Sequence, residues 1–353
     1  MSEPAWSRPH RLGPNKVPVY YAGGEGIDRF RGEHGSTGPE DWVGSVTRFP
    51  SGLLPAGADP TTGVSRLDDG TLLDAAMRAD PQGWLGPELS GLYGAQPGLL
   101  VKLLDAGERL PVHCHPTRSF AQAHLGSYFG KNEGWIIIAA APAARIWLGF
   151  CREVLPRELR SWIRQQDASA MLAAMNELAL AVGDVFYVPA GVPHAIGPGV
   201  TIIELQEPTS FSILAEHEAF GVGADNATLG LGWNLALTCF DLGCYTAERL
   251  GALHPTESVI TRSAAGSVSR LFGIETEPFF QAYRVRSASG ISLGTRGFRV
   301  LVVQRGEAVI VFAGGSEAVR AGETWVVPYG AGELNTDGEL ELIVCRPPAI
   351  NRA

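Results

Sequence analysis

Two short segments bring three histidines into a pattern that few folds can satisfy. Gly107-Glu-Arg-Leu-Pro-Val runs into His113-Cys114-His115-Pro116, and Gly183-Asp-Val-Phe-Tyr-Val runs into Pro189-Ala190-Gly191-Val192-Pro193-His194. On a strand, residues two apart share a face, so His113 and His115 turn both imidazoles to one side while Cys114 faces the other as small packing filler. The glycines make turns, the prolines end strands, and the late histidine has to come back across a β structure to join the first pair. A lone histidine on a strand is more often a satisfied core or surface residue than a ligand. Three at this spacing are expected to bind a divalent metal. His124 lies in an inserted stretch, AQAHLGSYFG, and His10, His34, His217 and His254 match no ligand spacing.

The surrounding sequence reads as strands. LLVKLL, WIIIAA, ARIWLGF, VFYVPA and VTIIEL are short β-branched or aromatic runs bounded by Gly and Pro, and FRVLVVQRG, AVIVFAG, TWVVPYG and LELIVCRPP repeat that texture after residue 291. Between them, 156–180 carries Leu159, Ile163, Met171, Leu172, Met175 and Leu178 at helical spacing, which predicts a helical excursion in two pieces. AVGDVFYVPAGVPHAI and VRAGETWVVPYGAGEL share a glycine, an acidic residue, a strand and a proline, a weak internal repeat that points to a duplicated β unit. The expected fold is mainly β: two jelly-roll barrels with a small helical insertion. The expected organisation is N-terminal strands and loops over 1–95, with helical periodicity only near 71–78, packing on the barrels. A catalytic barrel over 96–210 follows, then a connecting region over 211–290 and a second barrel over 291–353. The second barrel is expected to hold no metal, because no histidine follows His254.

Composition narrows the function classes. The net charge is −9, and no basic cluster is present, which argues against nucleic-acid and anionic-membrane partners. No apolar run is long enough to cross a membrane, the N-terminus lacks the apolar core of a secretory signal, and five cysteines without a C-x-x-C pair suit a reducing cytoplasm. Only three of the 28 basic residues are lysines, and two of them, Lys102 and Lys131, fall close to the histidine motifs.

The histidine segments resemble the two halves of the cupin signature, G-x5-H-x-H and G-x5-P-x-G-x2-H. Over most of its length the chain also resembles the type I phosphomannose isomerases, the zinc-dependent branch of that superfamily. The resemblance is carried by VPVYYAGGEGIDRF, GPEDWVGS, GLLVKLLDAGERLPVHCHP, GKNEGWIII and, most specifically, GDVFYVPAGVPHAIGPGVTIIELQ. It implies the metal ligands His113, His115, Glu133 and His194. The first of these is glutamine in the family, so this chain returns to the general three-histidine, one-glutamate cupin set, which suits zinc and also manganese, iron or nickel. It further implies active-site roles for Lys102, Lys131 and Glu204. The substrate implied is a small sugar or sugar phosphate, and the reaction is interconversion of mannose 6-phosphate and fructose 6-phosphate through a cis-enediol.

One departure bears on the substrate. The family carries an active-site arginine after the glutamate that matches Glu204; here Leu214 stands at that place, and no lysine or arginine occurs between Arg164 and Arg249. Arg118, in HPTRSF, is the candidate replacement for substrate binding. The departure favours, as an alternative, an isomerase or epimerase of unphosphorylated sugars such as mannose or lyxose. The ligand set also permits an iron cupin dioxygenase or a non-catalytic metal- and sugar-binding protein. Oligomeric state is not legible in the chain.

Overall fold

A computed structural model describes residues 3–35, 38–55 and 57–350. The protein is mainly β and built from antiparallel sheets in a cupin-type fold. Three sheets form its frame. The six-stranded sheet runs, in spatial order, Lys16–Val17, Glu40–Val43, Leu100–Ala106, Val200–Gln206, Glu133–Ala140 and Val185–Val188. The five-stranded sheet runs Ile213–Leu214, His113–Cys114, His194–Ile196, Arg145–Phe150 and Met175–Ala179. The eight-stranded sheet is built from the C-terminal part of the chain and is extended at one edge by His10–Leu12, which pairs with Thr324–Val327.

Leu100–Ala106 and Val200–Gln206 are buried at every position, so they lack the inside–outside alternation of a half-exposed strand and read as continuous apolar runs. Their few polar residues, Lys102 and Glu204 among them, are therefore costly unless paired. One apolar cluster joins Leu103, Ile136, Ile146, Ile196 and Ile202 of the first two sheets to Val300, Val302, Val326 and Ile343 of the eight-stranded sheet, so the two halves share a core.

The chain segments are more interwoven than their order suggests. Glu40–Val43 sits inside the six-stranded sheet and Ile213–Leu214 closes an edge of the five-stranded one. Helices Pro81–Leu85 and Pro87–Tyr93 stand in the N-terminal region beside Leu73–Ala79, each opened by a proline whose fixed φ suits the first helical position. They are too short to show a helical period, which is why that stretch reads as loop. The excursion begins as expected, with Leu159, Ile163 and Met171 buried in helices Pro156–Gln165 and Ala168–Ala173. It ends earlier than expected: Met175 and Leu178 lie on the strand Met175–Ala179, paired with Arg145–Phe150. Two apolar residues three apart satisfy a helix turn, but here the open edge beside Arg145–Phe150 captures them.

Candidate metal centre and active site

His113 and His194 face each other as register partners across adjacent strands of the five-stranded sheet, and His115 follows just beyond the strand end. The ring centroids lie 4.1 Å apart for His113 and His194 and 4.9 Å for each pair involving His115. One ligand atom from each histidine lies within 4.8 Å of the others. All three are buried.

The backbone fixes which nitrogen faces inward. Each Nδ1 lies 2.8 Å from a carbonyl oxygen: His113 from Pro111, His115 from Phe211, His194 from Val192. A carbonyl only accepts, so each Nδ1 carries the proton and donates it, leaving Nε2 unprotonated; that of His115 lies 3.2 Å from Lys131 Nζ. That outer hydrogen bond is the usual device for orienting a metal-binding imidazole. Burial, reinforced by the neighbouring imidazoles, holds His113 well below the usual histidine range, and burial holds His115 down to about 3. The rings are thus neutral ligands. His194 Nε2 is buried without a hydrogen-bond partner, an orphan that a cation would satisfy.

Glu133 reaches this cluster from the first residue of its strand in the six-stranded sheet. Its Oε1 lies 3.0 Å from His115 Nε2 and its Oε2 3.7 Å from His194 Nε2. Lys131 Nζ lies 2.8 Å from Glu133 Oε1, and Trp135 Nε1 donates to Oε2 at 3.3 Å. Burial alone would raise the Glu133 carboxyl, but His115 and Lys131 hold it well below the usual carboxylate range. Three neutral imidazoles, one with an orphaned Nε2, and the Glu133 carboxylate against two of them fit a divalent ion, and this donor set suits zinc, manganese, iron or nickel.

Next to the centre lies a second charged group. Lys102 and Glu204 are register partners in the middle of the six-stranded sheet, with Glu204 also opposite Trp135. Lys102 Nζ lies 3.2 Å from both Glu204 Oε1 and Glu40 Oε2. Burial would lower this lysine, but Glu204 and Glu40 raise it above its ordinary value. Glu40 is anchored in turn by the Tyr21 hydroxyl at 2.8 Å and Trp42 Nε1 at 2.7 Å. Glu204 is raised to about 7 by burial and then by Glu133, against the pull of Lys102. A carboxyl poised near neutrality can both take and return a proton.

A single cavity gathers these residues. Its floor holds Glu40, Lys102, His113, Lys131, Glu133, His194 and Glu204. The partly exposed residues of its lining are Val19, Tyr20, Pro50, Leu53, Ser210 and Ser212. Arg118 stands apart from that lining. Its guanidinium donates to Glu207 and to the Pro278 carbonyl and lies over the Phe279 ring. Sequence reasoning missed Glu40, although alternation in Glu40-Asp41-Trp42 places the carboxylate and the indole on one face. It also missed Tyr20 and the two serines, which carry no motif.

Fold and centre together define a cupin-type metal site. No family model matches the chain. It is 27% identical to the mannose-6-phosphate isomerase of Streptococcus mutans over 333 residues, covering 90% of this chain and 93% of that protein. It is 26% identical to a mannose-6-phosphate isomerase of Bacillus subtilis over 253 residues, covering 72% and 76%. The solved mannose 6-phosphate isomerase of Bacillus subtilis superposes with a TM-score of 0.74 at 19% identity, over 96% of this chain and 99% of that one. A mannose 6-phosphate isomerase solved with zinc and yttrium superposes with a TM-score of 0.70 over 97% and 100%, at 14% identity. In sequence and in fold, then, the chain resembles the type I phosphomannose isomerases along nearly its whole length. Among the described residues no helix is long and apolar enough to cross a membrane.

Proposed function

We propose that the protein is a metal-dependent aldose–ketose isomerase that interconverts mannose 6-phosphate and fructose 6-phosphate through a cis-enediol. The observation that carries this reading is the buried Lys102–Glu204 pair in the same cavity as His113 and His194 of the histidine cluster and Glu133. A bound divalent ion, zinc in the first instance, would be held by His113, His115, His194 and Glu133 and would polarise the oxygens at C1 and C2.

The remaining work falls to the chain itself. Glu204 takes the proton from C2 of the aldose and returns it to C1. Lys102, locked between Glu40 and Glu204, supplies positive charge beside the developing enediolate, and Lys131 does so from the side of Glu133. The apolar wall of Leu104, Leu110, Trp135 and Ile196 keeps water from this step. The free cysteines suit a reducing cytoplasm as the place of action. The reading is tested by loading the purified protein with zinc and following fructose 6-phosphate formation together with proton exchange at C2. A zinc-loaded protein that does neither is not an isomerase, and one that consumes oxygen with iron bound is a dioxygenase.

A further inference from the structure

We propose that the C-terminal half carries an anion site of its own, in which Arg346 and Arg296 receive the phosphate of a small organic phosphate monoester. The inference does not rest on the isomerase reading above. The place is a cavity of about 590 Å³ between helix Pro87–Tyr93 and one end of the eight-stranded sheet. That volume lies in the range that holds small molecules. Arg346 ends the strand Asn335–Arg346, and Arg296 lies in the loop that leads into the strand Arg299–Phe312. Val300 pairs with Cys345 on those antiparallel strands, so Arg299 and Arg346, each one step further out, are neighbours.

What marks the place is charge without a counter-charge. Buried and half-buried arginines elsewhere are neutralised: Arg31 by Asp41, Arg109 by Glu216, Arg118 by Glu207 and Arg284 by Glu257. Among the described residues, Arg296, Arg299 and Arg346 bond only to uncharged groups. Arg299 donates to the carbonyls of Leu293 and Gly332, Arg346 to the carbonyl and hydroxyl of Thr295, and Arg296 Nε to the Tyr329 carbonyl at 2.9 Å. A carbonyl satisfies an N–H but leaves the positive charge standing. The carboxylates of the lining, Glu88 and Glu333, are exposed. Burial, and then the charge of Arg346, holds the Arg299 guanidinium down to about 9 against the pull of Glu333. An anion between the strand ends and the loop would relieve that repulsion.

The donors and walls define the ligand. Arg296 keeps both terminal nitrogens, and Arg346 its Nε, without a hydrogen bond among the described residues, so fork-shaped donors remain for an oxyanion. A phosphate monoester brings about −1.5 to −2 charges at neutral pH, which two guanidiniums match and a single carboxylate does not. Phe298, Pro348 and Ile350 line the same cavity, so the body of the ester is apolar.

Isothermal titration calorimetry of the full, zinc-loaded chain with phenyl phosphate and with inorganic phosphate tests the assignment. Phenyl phosphate is expected to bind saturably with a Kd at or below about 1 mM, and more tightly than inorganic phosphate. Arg346→Gln and Arg296→Gln should each weaken it by about tenfold or more, the value of one charge-assisted hydrogen bond. Should the half-buried Arg346 prove necessary for folding, the exposed Arg296 carries the test. His194→Ala, aimed at the metal centre, and Arg305→Gln, an exposed arginine outside the cavity, should leave the affinity unchanged. Absence of saturable binding below about 10 mM overturns the site. So does binding that survives both arginine variants, or that disappears with His194→Ala and thus belongs to the metal centre. An equal loss in Arg305→Gln would reduce the effect to overall charge and overturn it as well. Equal affinity for the two probes would overturn the organic ester as the ligand.

Discussion

The six-stranded and eight-stranded sheets are two versions of one design. In the first the strand order is Glu40–Val43, Leu100–Ala106, Val200–Gln206, Glu133–Ala140, Val185–Val188; in the second it is Gly266–Arg270, Gln281–Ser287, Asn335–Arg346, Arg299–Phe312, Thr324–Val327. The register agrees residue by residue. Glu204 stands between Lys102 and Trp135, and Val344 stands between Tyr283 and Leu301. Glu133 pairs with Val188 and Arg299 with Val327, each valine followed by a proline. Chemistry separates them: where the first sheet places Lys102, Glu204 and Glu133, the second places Tyr283, Val344 and Arg299. Arg299 is fully buried and donates to the carbonyls of Leu293 at 3.1 Å and Gly332 at 2.7 Å. A guanidinium thus occupies the second unit at the position from which Glu133 faces His115 and His194 in the first. The backbone plan tolerates either; a handful of side chains decides whether the unit binds an ion.

The largest expected effect removes that decision from the first unit. His194→Ala should lose bound metal, read by mass spectrometry, and lower turnover by about a thousandfold or more, since a Lewis acid supplies several kcal/mol of transition-state stabilisation. Circular dichroism should stay native, because a chain this long buries core enough without the ion. Full metal occupancy in the variant would break the ligand assignment. Next in size is Glu204→Gln, which copies the neutral state that Val344 represents and should cost about a hundred- to ten-thousandfold in kcat while leaving metal content unchanged. Glu204 is raised to about 7, so its carboxylate is ionised above that pH and protonated below it. As the base it should make kcat/KM fall as pH drops through an acid limb at or below about 7, lowered further by the charge of a bound cation. An identical limb in Glu204→Gln would assign the proton transfer to another group.

How much of this was legible in the sequence follows from how local each signal is. The histidine triad could be read because turn, strand and proline fix three side chains through short-range geometry. The shared phrase of Gly183–Gly191 and Gly322–Gly330 betrayed the duplication for the same reason. The position of Arg299 opposite Glu133 could not be read, since it depends on register across strands far apart in the chain. Glu40 was hidden likewise: its role comes from a neighbouring strand that brings Lys102 to it. Arg118 was expected in the substrate site because it follows His-Pro-Thr, yet helix Arg118–His124 turns it toward Glu207 and Phe279. Sequence proximity to a ligand says nothing of where a side chain points once a helix begins.

A smaller effect sharpens the comparison from the second unit. Arg299→Glu puts back the carboxylate that Glu133 represents, but without the histidines that give it work. It leaves a buried anion facing carbonyl oxygens, so unfolding free energy should drop by about 3–5 kcal/mol. Metal content should remain that of the first centre alone. A second equivalent of tightly bound zinc would mean that one side chain suffices to convert the unit.

The smallest effect concerns the turn that both units share. Gly183 N–H donates to the Ile137 carbonyl and Ile137 N–H to the Asp184 carbonyl, both at 2.9 Å; Gly322 does the same with Val303 at 2.9 Å, and Val303 with Glu323 at 3.0 Å. The acidic side chains then close each turn, Asp184 accepting from Ala181 N–H at 2.7 Å and Glu323 from Arg320 N–H at 3.2 Å. Both glycines have positive φ, +100° and +86°, so alanine is strained at either. Their surroundings differ. A Cβ at Gly183 would meet nothing within 4 Å, whereas at Gly322 it would stand 2.5 Å from the Phe30 carbonyl oxygen, a backbone atom that cannot swing aside. Gly183→Ala should therefore cost about 1–2 kcal/mol, the backbone term alone. Gly322→Ala should cost about 2–4 kcal/mol, because overpacking adds to that term. Denaturant midpoints at constant m-value measure both. Equal losses would show that the clash relaxes and that the two turns are equivalent in energy as well as in hydrogen bonding.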